Sequence, residues 1–356
     1  MKNLILNFCF LFISIVMNAQ TPTLFVGTYT SGASEGVYTF EFDSKTGQLS
    51  NKKLVVEETN PSYVAFTKNK QFLYVINEIN NFDTSESGSV STYALDAFGS
   101  YKKINTLSTH GAHPCHISLN DAEDRLAISN YSGGTVSLHN IHNGIIQPAF
   151  QVLNHNSEVQ AHAHMAQFNG NQLIAADLGR NFIAEYTENK TQNYVSSKVY
   201  SMVKNAGPRH FRCTKGGEFM YVINELNSSI SVLKKSDQGF SQIQNVPTLP
   251  EGYTDFNACA DIHISVDEHY VYGSNRGENT IVVFKRNPET GRLKKVQSIS
   301  VQGDWPRSFT IDPSGSFMLV ANERSNGISV FKIDKNTGKL KFSYKLEMHA
   351  PVCLLF

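Results

Sequence analysis

The amino-acid sequence predicts an all-β protein, a seven-bladed β-propeller whose ring is closed by pairing of its N-terminal and C-terminal strands. A two-strand unit recurs about every 50 residues, which is the period of four-stranded propeller blades. The segments between these units alternate β-branched or aromatic residues with polar ones, as half-buried strands do. Helical periodicity is almost absent from the sequence.

Six internal repeats each contain a short apolar strand, a polar turn, a second apolar strand and a closing polar residue. The closing residues are Asn77, Asn130, Asp177, Asn224, Asn275 and Asn322. A third strand then follows, as in GTVSLHNI (134–141) and NTIVVFKR (279–286). Weaker fourth strands complete the repeats, for instance 293–300 after a Thr-Gly turn.

The two ends of the chain complement each other. TLFVGTYT (23–30) resembles a second strand and GVYTFEFD (36–43) a third, whereas HAPVCLLF (349–356) resembles a first strand. We therefore expect the C-terminal strand to become the innermost strand of the blade that the N-terminal segment begins. This pairing closes the ring and removes its open edge, giving one propeller domain over residues 20–356.

Residues 1–19 are predicted to be a secretory signal peptide that is cleaved near Ala19. Lys2 precedes an apolar run from Leu4 to Met17, and the small residue Ala19 follows. The run is short for a membrane span, and no second apolar segment follows it. We expect no stable membrane span and an exported chain, either periplasmic or secreted.

Composition limits the partners that the chain can have. It contains 31 basic and 31 acidic residues, with a formal net charge of zero and no long basic run. These features argue against nucleic-acid binding, so an anionic ligand must be held by a few local charges.

The cysteines beyond the signal peptide are predicted to be buried free thiols. Cys115, Cys213, Cys259 and Cys353 are spread along the chain beside apolar strands, where a free cysteine behaves as a small apolar residue. Disulfide pairing stays open, because an exported protein meets oxidising conditions. No CxxC motif suggests a cysteine metal site.

Polar residues concentrate where the first strands begin and the second strands end. These two positions converge on one mouth of the central channel, because the first and second strands of a blade are antiparallel. The strand entrances carry His113, His116, His162, His164, Arg209, His210, Asp261, His263 and Arg307. The strand exits carry Glu78, Asp177, Glu225, Arg276 and Glu323. One such histidine is more often structural than functional, but the whole set on one rim predicts a ligand or active site.

A metal site at this mouth is the less favoured interpretation. His162 and His164 lie on one face of a strand, and Asp261 and His263 could join them as ligands. Several arginines share the mouth, however, and guanidinium groups suit a carboxylate or phosphate ligand better than a neighbouring metal ion. We therefore predict neither a metal nor a cofactor.

Arg209 and Glu225 bracket one hairpin and are expected to be neighbours in space. Glu225 would orient an arginine or act as a base, and His164 or His162 would move protons near neutral pH. A purely structural salt bridge between Arg209 and Glu225 is the alternative, since buried ion pairs can be structural as well as catalytic.

Several motifs resemble the seven-bladed propeller lactonases, a family that includes the propeller-type 6-phosphogluconolactonase and carboxy-muconate lactonizing enzymes. The motifs are GTYT (27–30), NPSYVAF (60–66), HPCHISL (113–119), ADLG (176–179), GPRHF (207–211), DIHIS (261–265), SNRG (274–277) and WPRSFTIDPSG (305–315). The resemblance extends from about Leu24 to Phe356 and implies no metal.

The resemblance also implies which residues act. It places a histidine, two arginines and a glutamate at the channel mouth, here His164, Arg209, Arg276 and Glu225, with His162 as the alternative histidine. Asp177 is interpreted as structural. The remaining predicted substrate-binding residues of the mouth are His162, His113, His210, His263 and Arg307.

The function that the resemblance implies is hydrolysis of a sugar lactone, as in 6-phosphogluconolactonase, with a small anionic lactone or sugar acid as the ligand. The predicted export conflicts with a cytosolic sugar-phosphate substrate, so an unphosphorylated lactone and the reverse, muconate-type lactonization both stay open. The alternative from another class is an exported, non-catalytic propeller that binds a carbohydrate or a protein. Its mouth would carry exposed aromatic residues in place of arginine, histidine and glutamate.

Overall fold

The computed structural model describes residues 22–356, and every regular element in this range is a β-strand. The 28 strands form seven antiparallel sheets of four, arranged as the blades of a propeller. The predicted fold class is confirmed. The predicted signal peptide at residues 1–19 lies outside the described residues. Within residues 22–356, no helix is long and apolar enough to cross a membrane.

The first three blades follow the N-terminal part of the chain. Blade 1 contains Thr23–Thr28 (β1), Gly36–Phe42 (β2), Leu49–Glu57 (β3) and the last strand of the chain, Pro351–Leu355 (β28). Blade 2 contains Tyr63–Phe66 (β4), Phe72–Asn77 (β5), Ser89–Leu95 (β6) and Tyr101–Ser108 (β7). Blade 3 contains Pro114–Leu119 (β8), Arg125–Asn130 (β9), Thr135–His142 (β10) and Ile145–Asn154 (β11).

The other four blades repeat this order. Blade 4 contains Ala163–Asn169 (β12), Gln172–Asp177 (β13), Phe182–Glu188 (β14) and Tyr194–Ser201 (β15). Blade 5 contains Pro208–Cys213 (β16), Phe219–Asn224 (β17), Ser229–Ser236 (β18) and Gly239–Pro247 (β19). Blade 6 contains Ala258–Ile264 (β20), Tyr270–Arg276 (β21), Thr280–Arg286 (β22) and Leu293–Ser300 (β23). Blade 7 contains Pro306–Ile311 (β24), Phe317–Asn322 (β25), Gly327–Ile333 (β26) and Leu340–Glu347 (β27).

The hydrophobic core lies between neighbouring blades. The strand β17 is buried along its whole length, because its two faces pack against blades 4 and 6. Phe219 and Tyr221 of this strand share one apolar cluster with Ile262 and Val271 of blade 6. Second strands therefore appear in the sequence as continuous apolar runs, because both of their faces are covered.

The closing polar residue of each repeat is buried, and the five asparagines among them bond to side chains of the third strand. Asn224 Nδ2 donates to the hydroxyls of Ser229 and Ser231, each at 2.9 Å, and Asn130 Nδ2 donates to Thr135 Oγ1 at 3.0 Å. A polar group in this buried position needs such partners, which explains why a small polar side chain recurs once per blade.

The ring closes as predicted by pairing of β28 with β1. The two strands are antiparallel, with Phe25 opposite Leu355, Val26 opposite Leu354 and Gly27 opposite Cys353. Blade 1 thus has four strands, of which three come from one end of the described chain and one from the other.

The four cysteines of residues 22–356 are free thiols, as predicted. Cys115, Cys259 and Cys353 are buried, and Cys213 is half-buried. Burial raises the pKa of the Cys259 thiol to about 11 and the pKa of the Cys353 thiol to about 12. These thiols pack in the core as neutral apolar groups.

Candidate active site

A β-bulge near the start of the innermost strand leaves one or two residues without a ladder partner in five of the blades. In blade 5, Pro208 pairs with Asn224 and His210 with Ile223, so Arg209 has no partner in the ladder. A bulge of this kind redirects a side chain, and bulges are frequent beside active sites. The equivalent shifts in blades 3, 4, 6 and 7 leave out Cys115, His164, Ala260 with Asp261, and Arg307.

The residue that follows each closing polar residue lies beside these bulges. Its backbone N–H bonds to the carbonyl just before the innermost strand, as with Glu225 N to Gly207 O at 2.8 Å and Glu323 N to Trp305 O at 3.1 Å. Because the position is equivalent in every blade, these side chains lie at the same end of their blades. The set comprises Tyr29, Glu78, Tyr131, Leu178, Glu225, Arg276 and Glu323.

Glu225 joins two arginines of neighbouring blades. Its Oε2 atom lies 2.7 Å from Arg276 Nη2 and 3.1 Å from Arg209 Nε. The Arg209 N–H is not aligned for a hydrogen bond, so this second contact is ionic only. The Glu225 side chain is 18% exposed, whereas the Arg209 and Arg276 side chains are 3% and 6% exposed. The carboxylate is thus the most accessible member of the group.

Backbone carbonyls of the bulged strand β20 hold both guanidinium groups in place. Arg209 Nη1 donates to Ala260 O at 2.5 Å, and Arg276 donates to Ala258 O and Cys259 O, each at 3.1 Å. Burial lowers the pKa of Arg276 to about 10, against the opposing charge of Glu225. Arg209, Arg276 and Glu225 are therefore held in fixed positions before a ligand binds.

A cavity of about 400 Å³ opens beside Glu225, between blades 5 and 6. Phe256 forms part of its wall, is 71% exposed and stacks on Trp305 with ring centroids 6.2 Å apart. The Trp305 ring centroid also lies 5.2 Å from the guanidinium carbon of Arg276. Gly277 allows this packing, because its φ is 124° and a Cβ atom there would lie 2.2 Å from Phe256 O.

His164 lies buried beside this group, on the innermost strand of blade 4. Its ring packs edge-on against His210 at 5.2 Å and against Tyr131 at 5.5 Å. Burial lowers the pKa of His164 well below its usual value, and the charge of Arg209 adds to this effect. His164 is therefore a neutral imidazole at neutral pH and a weaker base than a solvated histidine, so the expectation that it titrates near neutral pH is wrong.

His210 is buried next to Arg209 and contacts Asp261. Its Nδ1 atom is 3.0 Å from Asp261 Oδ1, and its ring contacts His116 of blade 3 at 5.7 Å and Tyr63 of blade 2 at 6.4 Å. Burial and Arg209 lower the pKa of His210 to about 3, although Asp261 opposes the shift. Rings from non-adjacent blades thus meet in the channel at the centre of the propeller.

Arg307 occupies a second cluster at the mouth. Its Nη2 atom lies 3.4 Å from Glu78 Oε2, which also accepts a 2.9 Å hydrogen bond from the Tyr29 hydroxyl. The guanidinium carbon of Arg307 lies 5.2 Å from the Tyr29 ring centroid. Arg307 thus pairs with Glu78 and not with Glu225, although its charge still acts on Arg276 and His164.

Three predicted substrate-binding histidines do not join either cluster. His162 stacks on Tyr131 at 4.5 Å and its Nδ1 atom contacts the Tyr131 carbonyl. His113 bonds to Ser132 at 2.9 Å, with φ of 53°. His263 contacts the second carboxylate oxygen of Asp261 at 3.3 Å.

Of the candidate metal ligands, Asp261 and His263 contact each other, whereas His162 and His164 have other partners. His162 is engaged with Tyr131, His164 with His210, and His263 with Asp261. Within residues 22–356, no group of three or more His, Cys, Asp or Glu side chains is arranged to hold a metal ion.

The sequence reasoning missed Tyr29, Tyr63 and Tyr131. Tyr29 and Tyr131 occupy the same position in their repeats as Glu225, so the register itself was the available signal. Tyr63 carried no comparable signal, because its contact with His210 crosses the channel between distant repeats. Asp177 is structural, as predicted: it is fully buried and accepts bonds from His155 and two backbone N–H groups.

The comparisons with known proteins agree with this architecture. Residues 23–356 match the family model described as "Lactonase, 7-bladed beta-propeller". The chain is 33% identical over 345 residues to a 6-phosphogluconolactonase of Bacillus subtilis (strain 168), covering 93% of this chain and 97% of that protein. It is 31% identical to a 6-phosphogluconolactonase of Formosa agariphila, covering 89% and 94% of the two chains.

Solved structures show the same likeness. The periplasmic gluconolactonase of Pseudomonas aeruginosa superposes with a TM-score of 0.87 at 29% identity, covering 94% of this chain and 98% of that one. The family model spans nearly all of the described residues, and the blade order and strand number agree with it. The chain therefore belongs to the seven-bladed β-propeller lactonase family.

Proposed function

We propose that the protein hydrolyses a sugar lactone at the channel mouth. The observation that carries this proposal is the Glu225 carboxylate held between Arg209 and Arg276, with neutral His164 on the adjacent blade. Convergent polar groups beside a cavity are the usual sign of an active site. The lactonases named among the relatives support the same class of reaction.

The arginines would stabilise the negative charge that develops on the lactone carbonyl oxygen. Arg209 uses Nε and Nη1, and Arg276 uses Nε and Nη2, for the protein contacts described above. Arg209 Nη2 and Arg276 Nη1 stay available for a ligand. Donors that are fixed before the substrate arrives are worth several kcal/mol in such a step, about 3–4 kcal/mol for one oxyanion donor.

Glu225 or His164 would take the proton from the attacking water. Glu225 uses one oxygen for both arginines, so its Oε1 atom is the free acceptor, whereas His164 is neutral and buried. The hydroxide adds to the carbonyl carbon, the bond from that carbon to the ring oxygen breaks, and the proton returns to that oxygen as an alcohol. The product is a hydroxy acid, which ionises and releases one proton to the solution.

Acid release from a panel of phosphorylated and unphosphorylated sugar lactones tests the proposal. We expect Glu225→Gln and Arg209→Ala to lower kcat/KM at least a hundredfold, because each removes a fixed charge from the reacting groups. The matched control is Arg286→Ala, which removes a buried arginine of blade 6 that bonds to Tyr221 away from the mouth. It should lose stability but keep its activity.

Two results would contradict the proposed function. Full activity of folded Glu225→Gln and Arg209→Ala proteins would exclude this site. Absence of turnover on every lactone, with the wild-type protein folded, would instead favour a propeller that binds a carbohydrate or protein without catalysis.

We also propose that the chain is exported. The predicted signal peptide and the periplasmic relative support this proposal. Expression of the full chain in a Gram-negative host, followed by fractionation and N-terminal sequencing, should give a periplasmic protein that begins near Gln20. A cytoplasmic protein that keeps Met1 would refute it.

A further inference from the structure

The far ends of the blades, opposite the strand entrances, carry the hairpin turns that join each first strand to its second strand. Two of these turns are tied to the turn of the next blade. Lys68 N of blade 2 donates to Glu123 Oε1 of blade 3 at 2.6 Å, and Lys68 Nζ donates to Asp121 O at 2.7 Å. Lys215 N of blade 5 donates in the same way to Glu268 Oε1 of blade 6 at 2.6 Å. Each of these glutamates occupies the left-handed position of its turn, with φ of 58° and 59°.

Blade 1 has no such turn within residues 22–356. Its innermost strand β28 and its second strand β1 come from opposite ends of the described chain, so no hairpin joins them. The left-handed position in the turn of blade 2 belongs to Lys70, whose φ is 55°. Lys70 therefore lies where Glu123 lies in blade 3, but it has no turn of the preceding blade to hold. Its Nζ atom instead lies 4.9 Å from the Phe66 ring centroid and 5.6 Å from the ring centroid of Phe25 in blade 1.

A cavity of about 610 Å³ lies at this place, between blades 1 and 2. Its volume is in the range of sites for small organic molecules. Apolar and basic side chains share its lining, which includes Phe25, Val55, Leu95, Tyr101, Lys53, Lys68 and Lys70. Tyr101 donates its hydroxyl to Lys70 O at 2.8 Å, and its ring packs edge-on against Phe25 at 6.1 Å. These contacts fix an aromatic wall beside the lysine.

Lys70 has no acidic partner in the described part of the chain. No Asp or Glu is among the described lining residues of the cavity. Asp96, in the turn after β6, acts on Lys53, and Glu123 holds Lys68 as described above. Burial lowers the pKa of Lys70, and within residues 22–356 no carboxylate opposes this shift. Lys70 is thus a partly buried amine whose positive charge is not balanced by a neighbouring carboxylate.

An organic anion would complement both features of this cavity. A carboxylate next to Lys70 forms a charge-assisted hydrogen bond and offsets the cost of holding an ammonium group away from water. The apolar body of the anion covers Phe25 and Tyr101 and removes apolar area from water. An inorganic anion would supply only the first effect, and an uncharged aromatic compound only the second.

We propose that the cavity between blades 1 and 2 binds an organic anion, with its carboxylate on Lys70 and its planar apolar body against Phe25 and Tyr101. Lys53, which is exposed, adds a second positive charge to the lining. This site does not depend on the proposed lactone hydrolysis. It lies beside the hairpin turn of blade 2, at the end of that blade opposite Glu78.

Equilibrium dialysis of the purified protein with 2-naphthoate tests the proposal, and 2-naphthamide serves as the uncharged ligand of the same shape. We expect 2-naphthoate to bind about tenfold more tightly, because only the carboxylate forms an ion pair with an ammonium group. Lys70→Gln should weaken the binding of 2-naphthoate about fivefold and leave that of 2-naphthamide almost unchanged. Lys190→Gln is the matched control, since this lysine is exposed in blade 4 and should change neither affinity.

A chemical label locates the bound ligand. Pyridoxal 5′-phosphate condenses with a lysine amine to an imine with loss of water, and borohydride reduces the imine to a stable secondary amine. Peptide mass spectrometry then gives the labelled fraction of each lysine. Saturation with 2-naphthoate should lower the labelling of Lys70 about fivefold, because a bound carboxylate covers the amine and favours its charged form. Lys190 should be labelled as before.

Three binding results would overturn the proposal: no binding of 2-naphthoate, equal affinity for 2-naphthamide, or unchanged affinity in the folded Lys70→Gln protein. The first would mean that Lys70 only covers the rings of Phe25 and Phe66, or that another part of the chain fills the cavity. Equal protection of Lys70 and Lys190 from the label would place the ligand elsewhere and would also overturn it. Circular dichroism verifies that the Lys70→Gln protein is folded.

Discussion

His116 is a buried histidine whose environment predicts a pH-dependent stability. His116 packs its ring at 4.7 Å from Tyr63 and at 5.7 Å from His210, and its Nδ1 atom is buried without a partner in the described chain. Burial lowers its pKa well below 6.5. The folded protein therefore holds His116 neutral at pH values where the unfolded chain has already taken up a proton.

This difference predicts the direction of acid sensitivity. Below about pH 6.5 the unfolded state binds more protons, so the free energy of unfolding falls as the pH drops. His116→Phe keeps a ring in this space and removes the proton uptake. The loss of stability between pH 7.5 and pH 5.0 should shrink by about 2 kcal/mol, measured by urea denaturation at each pH.

A matched variant isolates the effect of burial. His142 is exposed, and His142→Gln should leave the pH dependence as it is in the wild-type protein. An unchanged pH dependence in His116→Phe would show that His116 is protonated in the folded state.

Some contacts between individual site residues can be predicted from the sequence, and others cannot. Arg209 and Glu225 lie at the two ends of one hairpin, so their proximity follows from antiparallel pairing alone. The pairing of Arg307 with Glu78 joins residues far apart in the sequence, and only closure of the ring brings blades 7 and 2 close. His162 could not be distinguished from His164 by spacing, because the bulge at His164 changes the direction of the strand.

Within the blades, one buried polar position is filled in two different ways. In blade 4, Asp177 Oδ2 contacts His155 Nδ1 at 2.8 Å, and His155 Nε2 contacts the Tyr186 hydroxyl at 2.8 Å. In blade 2, Glu58 bonds to the equivalent Asn77 at 2.8 Å and to the equivalent tyrosine, Tyr93. In blade 4 the acid, Asp177, lies on the strand and its partner, His155, lies in a loop. In blade 2 the acid, Glu58, lies in a loop and its partner, Asn77, lies on the strand.

The exchange can be made by mutation. Asp177→Asn and His155→Glu should each lower the free energy of unfolding by about 2–3 kcal/mol, since each leaves a buried polar group poorly paired. The double variant recreates the contacts of Glu58 with Asn77 and Tyr93, although not its 2.7 Å ion pair with Lys103, and should regain at least about 1 kcal/mol of the summed loss. Denaturant unfolding of the four proteins in a double-mutant cycle measures this coupling.

Additive losses in the double variant would show that the two sets are not interchangeable. The sequence indicated a structural role for Asp177 but gave no sign of His155, because a histidine in a loop between blades looks like any other surface residue. Its burial depends on how blades 3 and 4 pack.

For the whole molecule, the blade number was predictable because each blade is nearly local in sequence. Only blade 1 needed a long-range argument, and the complementary ends at 23–43 and 349–356 supplied it. The register shifts that direct side chains into the mouth were not predictable, since a bulge depends on the pairing of two strands and not on one residue pattern.

Closure of the ring should be essential for stability. Removal of residues 351–356 takes β28 from blade 1 and exposes the edge of β1, so we expect loss of cooperative unfolding and aggregation. Removal of Phe356 alone loses one aromatic contact with Phe42 and should cost about 1–2 kcal/mol. Thermal unfolding followed by circular dichroism, with size-exclusion chromatography, compares the two truncated proteins.

A synthetic peptide of residues 349–356 provides a further check. It should bind the free edge of β1 in the longer truncation and restore part of the lost stability, because strand addition satisfies the exposed backbone groups. A truncated protein that unfolds at the wild-type temperature without the peptide would contradict the role of closure.

The same closing strand has a consequence for synthesis of the chain. Arg209, Glu225 and Arg276 are translated long before β28, yet the ring that fixes their positions lacks one strand until β28 is available. A ribosome-bound chain would therefore already contain Arg209, Glu225 and Arg276, but its ring of blades would not yet be closed. Activity at the proposed site should therefore appear late in folding and abruptly, when β28 docks on β1.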